Sequence, residues 1–214
     1  MLRELFRRYR VYAVLQGFRL NMVFSVLFFA LSLVLNELAI LFATEKASNP
    51  VTDIILSNTP ILDVNNLFVY GTMAAVVVSV LIGLAHPKRI QFTLHTITLF
   101  FVIRSIFVSL THLAPFAPHV ADDFGTTVNN AFFGADQFFS AHSGLPFLGA
   151  LMCWHQPRLR YFFLAISGFF AVVVLLGHIH YSIDVLAAFF ITYGIYDIAV
   201  WLFPKDYALF HSDL

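Results

Sequence analysis

The chain has 214 residues, of which 60% are hydrophobic and 11% charged, against about 25% charged in an ordinary soluble domain. Lysine plus arginine equals aspartate plus glutamate at 12 each, so nothing basic is available to suit nucleic acid, and no nucleic-acid partner is expected. The one cysteine, Cys153, excludes an internal disulfide framework.

What composition leaves is an integral membrane protein. A spanning helix needs about 20 mostly apolar residues, and six runs qualify: 21–43, 67–85, 91–111, 138–154, 161–179 and 181–203. The first follows a basic N-terminal segment, as a signal peptide would. Its apolar stretch exceeds the about 7–15 residues of a signal h-region, so it reads as an uncleaved span. The fifth and sixth runs nearly touch, and the polar cluster in "GHIHYSIDV" (177–185) breaks them into two. The predicted architecture is an all-α membrane protein, a six-transmembrane-helix bundle with both termini cytoplasmic. It divides into a basic cytoplasmic N-terminal segment (1–20), a six-span catalytic membrane domain (21–203) and a short cytoplasmic tail (204–214).

Charge fixes the expected orientation, because cytoplasmic loops are enriched in lysine and arginine. Arg3, Arg7, Arg8, Arg10 and Arg19 precede or open the first run. Lys88 and Arg89 lie in the second connection, Arg158 and Arg160 in the fourth, and Lys205 in the tail. Ten of the twelve basic residues thus fall on one side of a six-span arrangement. A five-span arrangement would scramble that alternation.

Depth follows from orientation. His142 opens the fourth run and His180 and Asp184 open the sixth, both descending from the outer face. Arg104 lies in the third run, about 10 Å below its outer end at the helical rise. These four ionisable residues share the outer third of the membrane. Exposure to lipid would cost each about 2.5–3.5 kcal/mol, so they are expected to face a bundle interior or cavity.

On a helix His180 and Asp184, four apart, stand on one face. A carboxylate accepting a hydrogen bond from one imidazole nitrogen fixes the tautomer and aims the other nitrogen as a base or nucleophile. His142, in "FFSAHSG", supplies a second imidazole beside the Ser140 hydroxyl. One histidine to attack, a second to protonate the leaving group and a carboxylate to orient the first make a recipe for covalent group transfer. Arg104 adds a forked cation for phosphate oxygens, with Ser140 as a further phosphate-binding group. The residues therefore point to phosphoryl or phosphodiester transfer on a lipid.

Blander readings stand beside this one. An arginine near a helix end commonly snorkels to the interface, and His95 reads as a packed polar residue. His178 lies about 200° around a helix from His180, which leaves it a supporting role. His178-x-His180 with His142 or Asp184 also offers ligand types suited to zinc, although an HxH pair converges more readily from a strand. A non-catalytic lipid-binding protein would use the same cluster only for helix packing.

"GADQFFSAHSG" (134–144), followed some forty residues on by "HIHYSIDV" (178–185), resembles the paired catalytic motifs of the sphingomyelin synthase family. That family lies within the wider type 2 phosphatidic acid phosphatase superfamily. Its motifs read Cys-Gly-Asp, three residues, Ser-Gly-His-Thr, and then His-Tyr-Thr-x-Asp-Val. Asp136, Ser140, His142, His180, Tyr181, Asp184 and Val185 match them. "RSIFVSLTHLAP" (104–115) is similar to the family segment in which an arginine precedes a helix ending in Leu-Pro. "TPILD" (59–63) is similar to its proline- and aspartate-containing loop.

The resemblance implies a six-helix bundle open to the exoplasmic, periplasmic or lumenal side. It makes His180 the nucleophile, Asp184 its orienting partner and His142 the acid that frees diacylglycerol and then activates an acceptor alcohol. Asp136, Tyr181 and His178 support them, and no cofactor or metal is implied. The partners would be a phospholipid and a lipid alcohol such as ceramide, or water in the phosphatase and phospholipase C alternatives. This chain departs from the pattern with Gly134-Ala135-Asp136 for Cys-Gly-Asp, and with Ser140-Ala141-His142-Ser143 for Ser-Gly-His-Thr. Those departures bear on head group and acceptor rather than on the catalytic trio.

Overall fold

The structure, a computed structural model, describes Arg7, Tyr9, Arg10, Tyr12 and residues 17–116 and 137–212. Its described residues are mostly helical. In chain order the helices are α1 (Phe18–Glu45), α2 (Asn65–Leu84), α3 (Ile90–Leu110), α4 (Ala141–Met152), α5 (Pro157–Leu176), α6 (Ser182–Leu202) and α7 (Pro204–His211). Single 3-10 turns occupy Leu56–Asn58 and Pro87–Arg89.

Five segments among the described residues are long and apolar enough to cross a membrane: Phe18–Glu45, Asn65–Leu84, Pro87–Leu110, Pro157–Leu176 and Ser182–Leu202. They coincide with five of the six predicted runs. The predicted run 138–154 differs. Its helix α4 has 12 residues, about 18 Å at the α-helical rise, well short of a hydrocarbon core of about 30 Å. Local causes are visible at both ends. Phe138 has a φ of 132° just before the helix, and Pro157 opens α5 only four residues after Cys153 caps α4.

The outward faces of α1 and α2 are lined with exposed large apolar side chains, among them Leu27, Leu31, Val76 and Leu81. The interior is aromatic. Phe92, Phe100 and Phe139 are fully buried and join Leu148, Ala188 and Ile195 in the main core of α3, α4 and α6. A second cluster, including Phe68, Phe170, Val174 and Val185, binds α2, α5 and α6. Within the predicted short tail, Pro204–His211 form α7, whose Phe210 is buried against Phe92. His95 of α3 helps to anchor it. His95 Nδ1 lies 2.9 Å from Asp206 Oδ2, and its Nε2 lies 2.8 Å from Ser25 Oγ of α1.

Small residues let α4 sit deep in this core. A Cβ added to Gly144 would lie 2.9 Å from Thr192 Oγ1 and 3.0 Å from the Phe100 ring, and neither Phe100 nor Thr192 is exposed. Overpacking of this kind costs about 1–3 kcal/mol. Gly144→Val should therefore lower the thermal unfolding midpoint in detergent. Gly168→Val, where an added Cβ meets nothing within 4 Å, should leave it nearly unchanged.

Candidate functional site

The turn between α5 and α6 carries the first half of the site. Gly177 caps α5, and an added Cβ there would lie 2.7 Å from Val64 Cγ2, so the end of the loop before α2 packs closely against it. His178 then adopts a left-handed φ of 53°, a conformation costly for a residue with a Cβ. Residues 177–181 are thus a turn, not helix, and the helical-wheel placement of His178 and His180 is corrected accordingly. The two side chains still diverge. His178 Nε2 faces the Thr59 carbonyl at 3.2 Å and its ring meets Phe116 edge-on. His180 turns inward instead.

Asp184 lies in the first turn of α6, where the helix dipole favours negative charge. Its Oδ2 accepts the Tyr181 N–H at 3.0 Å and lies 3.4 Å from His180 Nδ1, a long separation for an N–H···O bond. His180 and Asp184 are each 1% exposed. With Nδ1 turned to the carboxylate, Nε2 is the nitrogen left to act on another molecule.

The second half is joined to the first through the backbone. The Ser140 N–H donates to the Asp184 carbonyl at 3.2 Å, which sets the start of α4 beside the start of α6. His142, in the first turn of α4, thereby brings its ring centroid to 6.3 Å from that of His180. Phe68 of α2 supports the His142 ring at 4.4 Å, with Phe170 of α5 at 6.2 Å. Ser140 is fully buried, and its Oγ and Asp184 Oδ1 have no hydrogen-bond partner among the described residues.

Arg104 is 1% exposed and does not snorkel. Its Nε donates to the Phe139 carbonyl at 3.3 Å and its Nη1 to Asn36 Oδ1 at 2.9 Å. Two of its five donors thus tie α3 to α1 and to the residue before Ser140. Tyr181 is buried. Its hydroxyl donates to the Ala114 carbonyl at 2.9 Å and accepts the Val51 N–H at 3.2 Å. Asp136 lies outside the described residues. Among the described residues, no group of three His, Cys, Asp or Glu side chains is placed to hold a metal ion.

Three supporting residues were missed in the sequence. Asn36 looks like an ordinary polar break in an apolar run, and Phe68 is one phenylalanine of 26. Asp53 sits in the loop after α1 with no motif around it. Its Oδ2 accepts the Ser182 N–H at 2.7 Å, and its Oδ1 accepts the N–H groups of Ile55 and Leu56. The loop therefore caps the helix that carries Asp184. Burial opposes ionisation of Asp53, but the hydrogen bonds from Ser182, Leu56 and Ile55 outweigh it and hold the carboxyl below its usual range.

Comparison with protein families, with curated proteins and with solved structures gives no match to this chain.

A depressed carboxyl contributes stability that is complete above its unfolded pKa of about 3.9 and fades as pH falls through the lower folded value. Asp53→Ala should cost about 1 kcal/mol near neutral pH, the usual value of a lost helix cap. That difference from wild type should shrink in melts carried out progressively below about pH 4.

Proposed function

We propose that the chain is a lipid head-group phosphotransferase of the sphingomyelin synthase type. It would move phosphocholine or phosphoethanolamine from a glycerophospholipid to ceramide or a similar lipid alcohol. The observation that carries this reading is the facing pair of imidazoles, His142 and His180, 6.3 Å apart between ring centroids, with Asp184 on the Nδ1 side of His180. A phosphodiester set between the rings meets a nucleophile on one side and an acid on the other.

In the first half-reaction the His180 Nε2 lone pair attacks phosphorus, and a P–N bond forms. The P–O bond to diacylglycerol breaks, and His142, entering protonated, gives its proton to the departing oxygen. Asp184 stabilises the positive charge gained by the His180 ring. In the second half-reaction His142 takes the proton of the acceptor hydroxyl, the acceptor oxygen attacks phosphorus, and the P–N bond breaks. Neutral His180 and protonated His142 are then restored. The unused oxygen of Ser140 and the guanidinium of Arg104 are assigned to the phosphate oxygens.

The reading carries a topology with it. Six crossings, with α4 and its flanking residues as the fourth, keep ten of the twelve basic residues on the cytoplasmic side with both termini. The start of α4, with His142, and the turn before α6, with His180, then open to the exoplasmic, periplasmic or lumenal side. The substrate is a phospholipid of that leaflet, and catalysis requires no metal.

Purified protein given head-group-labelled phosphatidylcholine or phosphatidylethanolamine should move label to ceramide. His180→Ala, His142→Ala and Asp184→Asn should each lower the rate by about 10²–10⁴-fold, the range of positioned acid–base groups. Label released as free phosphocholine or phosphoethanolamine, even with ceramide present, would make water the acceptor. Full activity in both histidine variants would defeat the reading.

A further inference from the structure

A cavity of about 440 Å³ runs along the seam between α2 and α5, within the about 300–1,000 Å³ of small-molecule sites. All nine of its lining residues are glycine or apolar. Gly71, Ala75 and Val78 form its α2 wall, and Phe162, Ala165 and Phe170 belong to its α5 wall. Val78, Phe162 and Ala165 are exposed, so the seam is open laterally to the surrounding hydrocarbon.

Phe170 links this seam to the site already described. Phe170 forms part of the cavity wall and also lies 6.2 Å from the His142 ring. Phe68, which supports His142 at 4.4 Å, lies three residues above Gly71 on α2, about 4.5 Å along the helix axis. One turn farther out on the same face is Asn65, 1% exposed, whose Nδ2 donates to no acceptor among the described residues. The face is thus polar at the level of the histidines and wholly apolar below.

From Phe170 to Phe162 the seam descends eight residues, about 12 Å. One leaflet of the hydrocarbon core is about 15 Å deep. Polarity, direction and length all match one lipid molecule with its phosphate at His142 and His180.

We infer that the α2–α5 seam is an acyl-chain subsite, holding one tail of the phospholipid whose phosphodiester lies between His142 and His180, with Asn65 as a donor to its polar end. This rests on the proposed function for the identity of the head group's site, but the tail's position is testable alone. A second helix is the other conceivable occupant, since Gly71-x-x-x-Ala75 has the spacing of close helix packing. The chain's own phenyl rings fill that approach. A Cβ on Gly71 would already lie 3.6 Å from Phe170 Cζ and 3.7 Å from Phe169 Cε1.

The test uses full-length protein in nanodiscs containing phosphatidylcholine with a diazirine midway along one acyl chain. Photolysis followed by peptide mapping should concentrate adducts on 71–78 and 162–170. Ala75→Phe, at a half-buried position of the groove wall, or Ala165→Phe, at an exposed one, should reduce them severalfold. Adducts spread evenly over other lipid-facing positions such as Val34 and Phe190, or labelling unchanged in both variants, would overturn the inference.

A kinetic arm separates it from the proposed function. Both variants should raise KM for long-chain phosphatidylcholine by roughly 10-fold or more, while turnover of a water-soluble phosphocholine ester stays within about twofold of wild type. Equal loss on both substrates would mark Ala75 and Ala165 as structural and overturn the inference. Seam-specific labelling in a wild-type protein that turns over neither substrate would sustain the tail site and remove the enzymatic reading.

Discussion

The arrangement depends on one buried carboxylate at the head of α6. Asp184 Oδ2 holds the Tyr181 N–H and faces His180 Nδ1, while the Asp184 carbonyl receives the Ser140 N–H. One residue thus shapes the turn, orients one imidazole and joins the segment bearing the other. A charge 1% exposed in an apolar bundle is costly without such partners. The helix N-terminus and the Tyr181 amide offset that cost.

The loops around it brace this point. The loop after α1 supplies Asp53 to the first amide of α6, and the Leu62 N–H donates to the Leu176 carbonyl at the end of α5. Tyr181 takes up Val51 from the same loop and Ala114 from the segment after α3. Arg104 performs a comparable task one helix away, linking Asn36 to Phe139. Hydrogen bonds from the loop after α1, from the segment after α3 and from the residues before α4 therefore meet around the catalytic trio proposed above. Precision of this kind is what positioned acid–base chemistry demands.

Apolar run length made most of the helices legible from sequence. The run 67–85 became Asn65–Leu84, and 181–203 became Ser182–Leu202. The spacing of "HIHYSID" also located a histidine–aspartate pair correctly, though by a partly mistaken route. His180 meets Asp184 across a turn capped by the helix, whereas the wheel argument assumed helix through both. The break itself was read from the polar cluster in 177–185. Run length failed for α4 because hydropathy counts the non-helical residues 138–140 and the turn after Met152 as if they were helical. Asp53, Asn36 and Phe68 were illegible for a different reason: each acts on a partner tens of residues away, which no local pattern records.

The central claim is that His180 carries the head group covalently between two lipids. The direct measurement is mass spectrometry of the His180 peptide after brief incubation with phosphatidylcholine, without acceptor, and quenching under base-stable conditions. The account predicts a phosphocholine adduct on His180 that disappears when ceramide is added and is absent from His180→Ala. Consumption of phosphatidylcholine with no adduct on His180, or with the adduct on another residue, would contradict it.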